Sequence, residues 1–192
     1  MRTLILLLAL FAAPAAAQES ACRATGSLPA AVRPFVERGS CAIALERGDL
    51  DRDGRSDYLL VLERPAPDPD QGRLRSLLVL TASGRLAAKA DGVVLCSRCG
   101  GVWGDPLEGV EVRRGGFTVN HYAGSAWRWR LDFTFAYSQR DRAWQLVRIN
   151  ELGYHTGDPE GTMKRRVSRP PRDFGKMDLR TFNAMKWIER ER

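Results

Sequence analysis

The stretch from Ala126 to Ser138 constrains the fold more than any other part of the chain. There Trp127, Trp129, Leu131, Phe133, Phe135 and Tyr137 alternate with Arg128, Arg130, Asp132, Thr134, Ala136 and Ser138. Successive side chains of a strand point to opposite faces, so this period of two describes a long strand with one aromatic face and one polar face. A helix would scatter the same residues around its circumference. Such a strand holds only when neighbours pair with it and something covers its aromatic side. The chain is thereby committed to an antiparallel sheet with a dry face, on which Trp127 and Trp129 are expected to be buried, and a wet face.

Partners for that strand lie close in sequence. Gly109 to Arg113 and Phe117 to Tyr122 flank Arg114-Gly115-Gly116, a hairpin turn with the glycines that such turns favour, and Trp144 to Leu152 follows the long strand. Upstream, Ala42 to Glu46, Tyr58 to Glu63, Leu74 to Thr81 and Arg85 to Ala90 read as further strands, separated by Asp-, Pro- and Gly-rich segments. Thr162 to Val167 reads as an edge strand stopped by Pro170-Pro171. Helix is expected at Pro29 to Arg38, limited by Pro34, and at Asp178 to Arg190, with Asp178 as cap and Leu179, Phe182, Met185 and Ile188 near one face. Residues 18–28 read as a loose lead-in. The expected fold is mainly β, with α+β as the alternative: a single domain over residues 18–192, built of antiparallel meander strands with short helices near both ends.

Residues 1–17 stand apart. Met1-Arg2-Thr3 carries a positive charge, Leu4 to Ala13 is apolar, and Ala15-Ala16-Ala17 makes an A-x-A cleavage site; these are the three zones of a secretory signal peptide. The apolar run is shorter than the roughly 20 residues that a membrane span needs. The expectation is an exported chain, periplasmic or extracellular, that does not span a membrane. Loss of Arg2 lowers the formal net charge of +7 by one. Lysine occurs only at positions 89, 164, 176 and 186, so arginine carries the basic excess. No helix concentrates that charge and no nucleic-acid module is present, which excludes nucleic acid as the expected partner. An envelope polymer or a protein is the expected partner, although the charge itself is better accounted for by a solvated basic surface than by a dedicated anion-binding face.

In an exported chain the four cysteines Cys22, Cys41, Cys96 and Cys99 read as two disulfides. Of the three pairings, Cys22–Cys41 with Cys96–Cys99 is favoured, because it ties the lead-in to the first strand and closes a tight loop before Gly100-Gly101. No cysteine stands directly after the cleavage site and no leucine three positions ahead of Cys22, so a lipoprotein anchor is not expected.

The segment with the most chemistry is Gly48-Asp49-Leu50-Asp51-Arg52-Asp53-Gly54-Arg55-Ser56-Asp57. Its carboxylates repel one another unless a cation or hydrogen bonds offset the charge. Carboxylates at positions 1, 3 and 5 with glycine at 6 let a loop curl around one hard cation. The Arg55 carbonyl at position 7 and Asp57 at position 9 extend the shell. Position 12 is Leu60 rather than a bidentate glutamate, and the flanks read as strands, so an EF-hand is excluded. The segment instead resembles the calcium loops of FG-GAP and VCBS-type repeats, which run D-x-D-x-D-G-x-x-D into an apolar strand, here Tyr58-Leu59-Leu60-Val61-Leu62. The resemblance covers about 20 residues and implies calcium ligands at Asp49, Asp51, Asp53 and Asp57. Those families build propellers from several copies; one copy here implies no propeller. The wider layout resembles uncharacterised exported bacterial proteins that carry a single such loop. The competing reading is a metal-free turn whose aspartates bond their own backbone, with Arg52 and Arg55 offsetting the charge.

Other chemistry is sparse. Cys96-Ser97-Arg98-Cys99 has the letters of a redox pair, but no βαβ pattern surrounds it, and the spacing to Cys22, Cys41 or either histidine is not that of a zinc site. His121 is expected to be a half-buried strand residue and His155 a surface loop residue. No nucleophile elbow, HExxH pair or phosphate loop occurs. Trp103, in a Gly-rich loop, together with Arg128 and Arg130 on the wet face, forms a candidate ligand surface suited to an anionic glycan. The leading expectation is an exported, non-enzymatic β domain with a structural calcium loop, which binds an envelope component or a protein. The alternative is an envelope enzyme, either a hydrolase or a CxxC thiol oxidoreductase, with no recognisable motif.

Overall fold

The computed structural model describes residues 22–68, 70 and 72–190, so the expected signal peptide lies outside the described residues. The alternation seen in the sequence becomes two antiparallel sheets. In the first, β1 (Cys41–Gly48), β2 (Asp57–Pro65), β3 (Arg73–Leu80) and β4 (Leu86–Ala90) lie in sequence order. In the second, β5 (Leu107–Arg113), β6 (Gly116–Gly124), β7 (Trp127–Ser138), β8 (Ala143–His155) and β9 (Lys164–Ser168) do the same. Each strand pairs with its neighbour in sequence, which is the expected meander. Arg113 faces Gly116 across the β5–β6 hairpin, and the turn places Gly115 at φ +80°, where a Cβ would be strained.

The two sheets share one core. Leu59 and Val61 of β2 and Leu77 and Val79 of β3 belong to the same buried cluster as Phe117, Val119, Phe133, Phe135, Leu146 and Ile149 of the second sheet. Phe117 stacks on Phe135 with ring centroids 5.4 Å apart. The opposite face of the first sheet is dry as well. Tyr58, Leu60, Leu62, Leu78 and Leu80 form a second cluster, closed by Leu28 and Val32 from the N-terminal segment. A strand buried on both faces has no polar side to alternate with, which is why Leu59 to Leu62 and Leu77 to Leu80 read as unbroken apolar runs.

Several expectations are corrected here. The lead-in is not loose at its end: Leu28 is fully covered, and the Cys22–Cys41 disulfide fastens the segment to β1. The helix expected over Pro29 to Arg38 is a turn ending in the single 3-10 turn Arg33–Phe35, because proline in that turn leaves no intact i→i−4 ladder. At the other end, α1 (Pro159–Thr162) is one turn and α2 (Ala184–Arg190) starts six residues later than expected. Leu179 and Phe182 are consumed before α2 begins. The Leu179 N–H bonds the Trp144 carbonyl at 2.9 Å, and Phe182 packs edge-on to Phe133 at 4.9 Å, plugging the core. Asn183, rather than Asp178, caps α2, with its Oδ1 accepting the Lys186 N–H at 3.0 Å. The buried face of α2 carries Trp187, while Met185 is exposed. β8 also runs on to His155, through residues expected to be loop.

Candidate functional site

The acidic loop, residues 49–56, joins β1 to β2 where Gly48 faces Asp57. Its conformation follows from its residues. Asp51 Oδ1 accepts the Asp53 N–H at 3.0 Å and Asp53 Oδ1 accepts the Arg55 N–H at 2.8 Å, two successive Asx turns. Arg52 and Gly54 sit in the left-handed region at φ 67° and 88°, which coils the segment tightly. Leu50 points the other way and is fully buried in the shared core.

Both sheets hold this loop. Asp57 Oδ2 accepts the Leu50 N–H at 3.1 Å, and its Oδ1 accepts the Ala82 N–H beyond β3 at 3.0 Å. From the second sheet, Gly115 in the β5–β6 turn donates its N–H to the Asp49 carbonyl at 2.7 Å, and Trp144 Nε1 of β8 donates to the Leu50 carbonyl at 2.9 Å. The Arg52 side chain lies so close to Gly115 that a Cβ there would strike it. The loop is thus a clasp between the sheets as well as a connection between two strands.

The carboxylates of Asp49, Asp51 and Asp57 converge, with one oxygen from each within 4.8 Å of the others. Asp49 Oδ1 is buried without a hydrogen-bond partner, while its Oδ2 lies 3.4 Å from Arg114 Nε. Burial pushes the Asp57 carboxyl above its ordinary pKa; the nearby Asp51 and Asp53 charges add to this, and the Leu50 and Ala82 N–H groups work against it. Asp53 lies outside this converging group, with its carboxylate turned to the Arg55 backbone and 3.7 Å from the Arg55 guanidinium. Three carboxylates that each bring an oxygen to within 4.8 Å of the others are a donor set suited to a hard cation such as calcium, and one of these residues, Asp49, also has a buried, unpartnered oxygen. Features of the metal-free reading are present too: the Asx turns form, and Arg55 offsets Asp53.

The second candidate surface lies at the far end of β6 and β7. Trp103 ends the 3-10 turn Gly101–Trp103 and remains 42% exposed. The Arg128 guanidinium lies over its ring, 4.3 Å from the centroid, and Tyr122 meets it edge-on at 5.2 Å. Arg130 behaves differently: it pairs with Glu108 at 2.7 Å and Asp132 at 2.9 Å. Trp127, expected to be buried, is 57% exposed and meets the His155 ring in a T-shaped contact with centroids 5.1 Å apart. Alternation assigns Trp127 to the correct face, but β7 runs past the end of the core at that point.

Cys96 and Cys99 form the second disulfide, so both bonds follow the expected pairing. The pair sits in a turn followed by the short 3-10 turn, not at the start of a helix as in thioredoxin-like thiol enzymes. It lines a cavity of about 370 Å³ with Arg75, Asp91, Leu95 and Asn183. Arg75 is the buried group that sequence reasoning missed. Its Nη2 lies 2.7 Å from Glu63 and 2.5 Å from Asp105, and its Nη1 donates to the Leu95 carbonyl at 3.2 Å. Burial alone would lower its pKa, yet the two carboxylates outweigh burial and raise it. The available signal was cross-strand pairing, since Glu63 stands directly opposite Arg75. Close by, His121 is fully buried rather than half-buried. It accepts the Leu95 N–H at Nε2, and burial lowers its pKa to about 3 with the Arg75 charge adding to the effect.

Fold and site together define a two-sheet antiparallel β protein with an acidic clasp between the sheets. No family model, curated protein or solved structure matches the chain.

Proposed function

We propose that the chain is an exported, non-enzymatic β domain in which a calcium ion closes the acidic loop, and which binds an envelope polymer or a protein partner. Support for export comes from the leader pattern in residues 1–17 and from the two disulfides; among the described residues, no helix is long and apolar enough to cross a membrane. The observation that carries the calcium reading is the convergence of Asp49, Asp51 and Asp57, beside which one Asp49 oxygen is buried and unpartnered. Calcium there neutralises mutual repulsion and fastens the clasp. Its role is structural, because its ligands lie on a loop whose backbone is held by both sheets.

Calcium sites of extracellular modules fill at about 10⁻⁴–10⁻³ M. At about 10 mM calcium, mass action then stabilises the fold by about 1.4–2.7 kcal/mol. For a chain of this size that raises the melting temperature by roughly 3–10 °C. Asp51→Ala, which removes one donor at the solvent side of the loop, abolishes the rise and leaves a folded protein. No shift at millimolar calcium removes the metal from the account.

A second reading, an envelope thiol oxidoreductase, is favoured by one observation: the Cys96–Cys99 bond lines the cavity. It requires Cys96 to alkylate unusually fast after mild reduction. Slow alkylation with prompt reclosure of the bond sinks it.

A further inference from the structure

The solvent-facing aromatic groups of the second sheet converge beside the 3-10 turn Gly101–Trp103. That turn is rigidly seated: Gly100 N–H bonds the Gly104 carbonyl at 3.0 Å, Gly124 N–H bonds the Gly100 carbonyl at 3.3 Å, and Tyr122 N–H bonds the Pro106 carbonyl at 2.8 Å. A Cβ on Gly100 would strike the Gly104 carbonyl, so the close approach requires glycine there. On this seat Trp103 holds the Arg128 guanidinium against its ring, and Arg128 Nη1 donates to the Gly124 carbonyl at 2.9 Å. Among the described residues no carboxylate pairs with Arg128, whereas Arg130, two residues along the same face, is neutralised by Glu108 and Asp132. Beside them the Tyr122 and Tyr154 hydroxyls bond each other at 2.8 Å.

We propose that this patch binds an acidic oligosaccharide, with a sugar carboxylate on the Nε–Nη2 edge of Arg128 and a sugar ring against Trp103. A guanidinium whose Nη1 is already engaged and which is held over the Trp103 ring presents its remaining donors as a preorganised fork, which is the geometry that a carboxylate accepts. Preorganisation lowers the ordering cost of binding. A sugar ring has apolar C–H faces for the exposed indole and hydroxyls for the two tyrosines, each of which both donates and accepts. Neutralisation of Arg130 by Glu108 and Asp132 argues against an anionic bilayer, which recruits clusters of free basic residues. This inference rests on the binding role proposed above, but not on the calcium loop.

The test titrates the full chain with hexagalacturonate, following tryptophan emission and heat. Parallel titrations use the neutral galactose oligomer and vesicles of anionic phosphatidylglycerol. Hexagalacturonate is expected to bind, the neutral oligomer at least tenfold more weakly, and the vesicles not measurably. Arg128→Gln and Trp103→Ala each weaken uronate binding tenfold or more with an unchanged melting temperature, while Asp51→Ala binds as the unaltered chain does. Equal binding of the neutral oligomer, binding of vesicles alone, or uronate binding untouched by Arg128→Gln overturns the proposal, as does absence of uronate binding. Retention of the chain on isolated envelopes despite no uronate binding leaves the broader binding role standing and removes only this ligand class.

Discussion

Asp57 holds the acidic loop to the first sheet with both of its oxygens, one on Leu50 and one on Ala82. Asp57→Ala leaves the buried Leu50 N–H without a partner, at a cost of about 1–3 kcal/mol. Urea unfolding of the calcium-free protein measures it, and a loss below about 0.5 kcal/mol contradicts the assignment. Asp57→Asn keeps one carbonyl acceptor and is expected to fall between the two. A different residue contributes to the response to acid. His121 is neutral in the fold, with its pKa lowered to about 3, whereas the unfolded chain takes up the proton near 6.5. Its contribution is present above pH 6.5 and is lost as pH falls through the window toward 3, because only the unfolded state gains the proton. His121→Gln should therefore flatten the decline of the urea midpoint between pH 6.5 and 5. An unchanged slope assigns that decline to other groups. At this scale the sequence revealed residues whose chemistry is local. The Asp spacing identified the loop, but the Asp57–Ala82 and Trp144–Leu50 bonds join residues 25 and 94 positions apart, and no spacing rule reports such partners.

Among the elements, the first sheet depends on a segment that is not a strand. Leu28 and Val32 close its outer face, and the Gly84 turn approaches Ala31 so closely that a Cβ there would be crowded by it. Leu28→Ala is expected to cost about 2–5 kcal/mol in urea unfolding, the range for emptying a buried leucine site. A loss below about 1 kcal/mol contradicts the view that this segment belongs to the core. Strand positions were legible because period two is a property of adjacent residues. The burial of the first sheet on both faces was not, because an unbroken apolar run does not say what covers it. The C-terminal segment shows the same limit. Leu179 and Phe182 have helical spacing with Met185, yet they are drawn into the core before α2 begins, and tertiary packing overrides the local pattern. Trp127 marks the reverse case, where alternation continues beyond the core that gives it meaning.

In the molecule as a whole, two meanders stack on a common core, and the acidic loop touches both of them at the edge of that core. Leu50 is inserted between them, Gly115 and Trp144 hold its backbone from the second sheet, and Asp57 holds it from the first. A cation among Asp49, Asp51 and Asp57 would therefore stabilise the seam between the sheets as well as one turn. The direct measurement is amide hydrogen exchange of the full chain with calcium and with chelator. Calcium is expected to slow exchange at Leu50, Ala82 and Gly115 together, with little change at the distant Tyr122 and Gly124, and Asp51→Ala is expected to remove the effect. Exchange at those three amides that is indifferent to millimolar calcium would contradict a cation-held clasp and leave the loop as a metal-free turn.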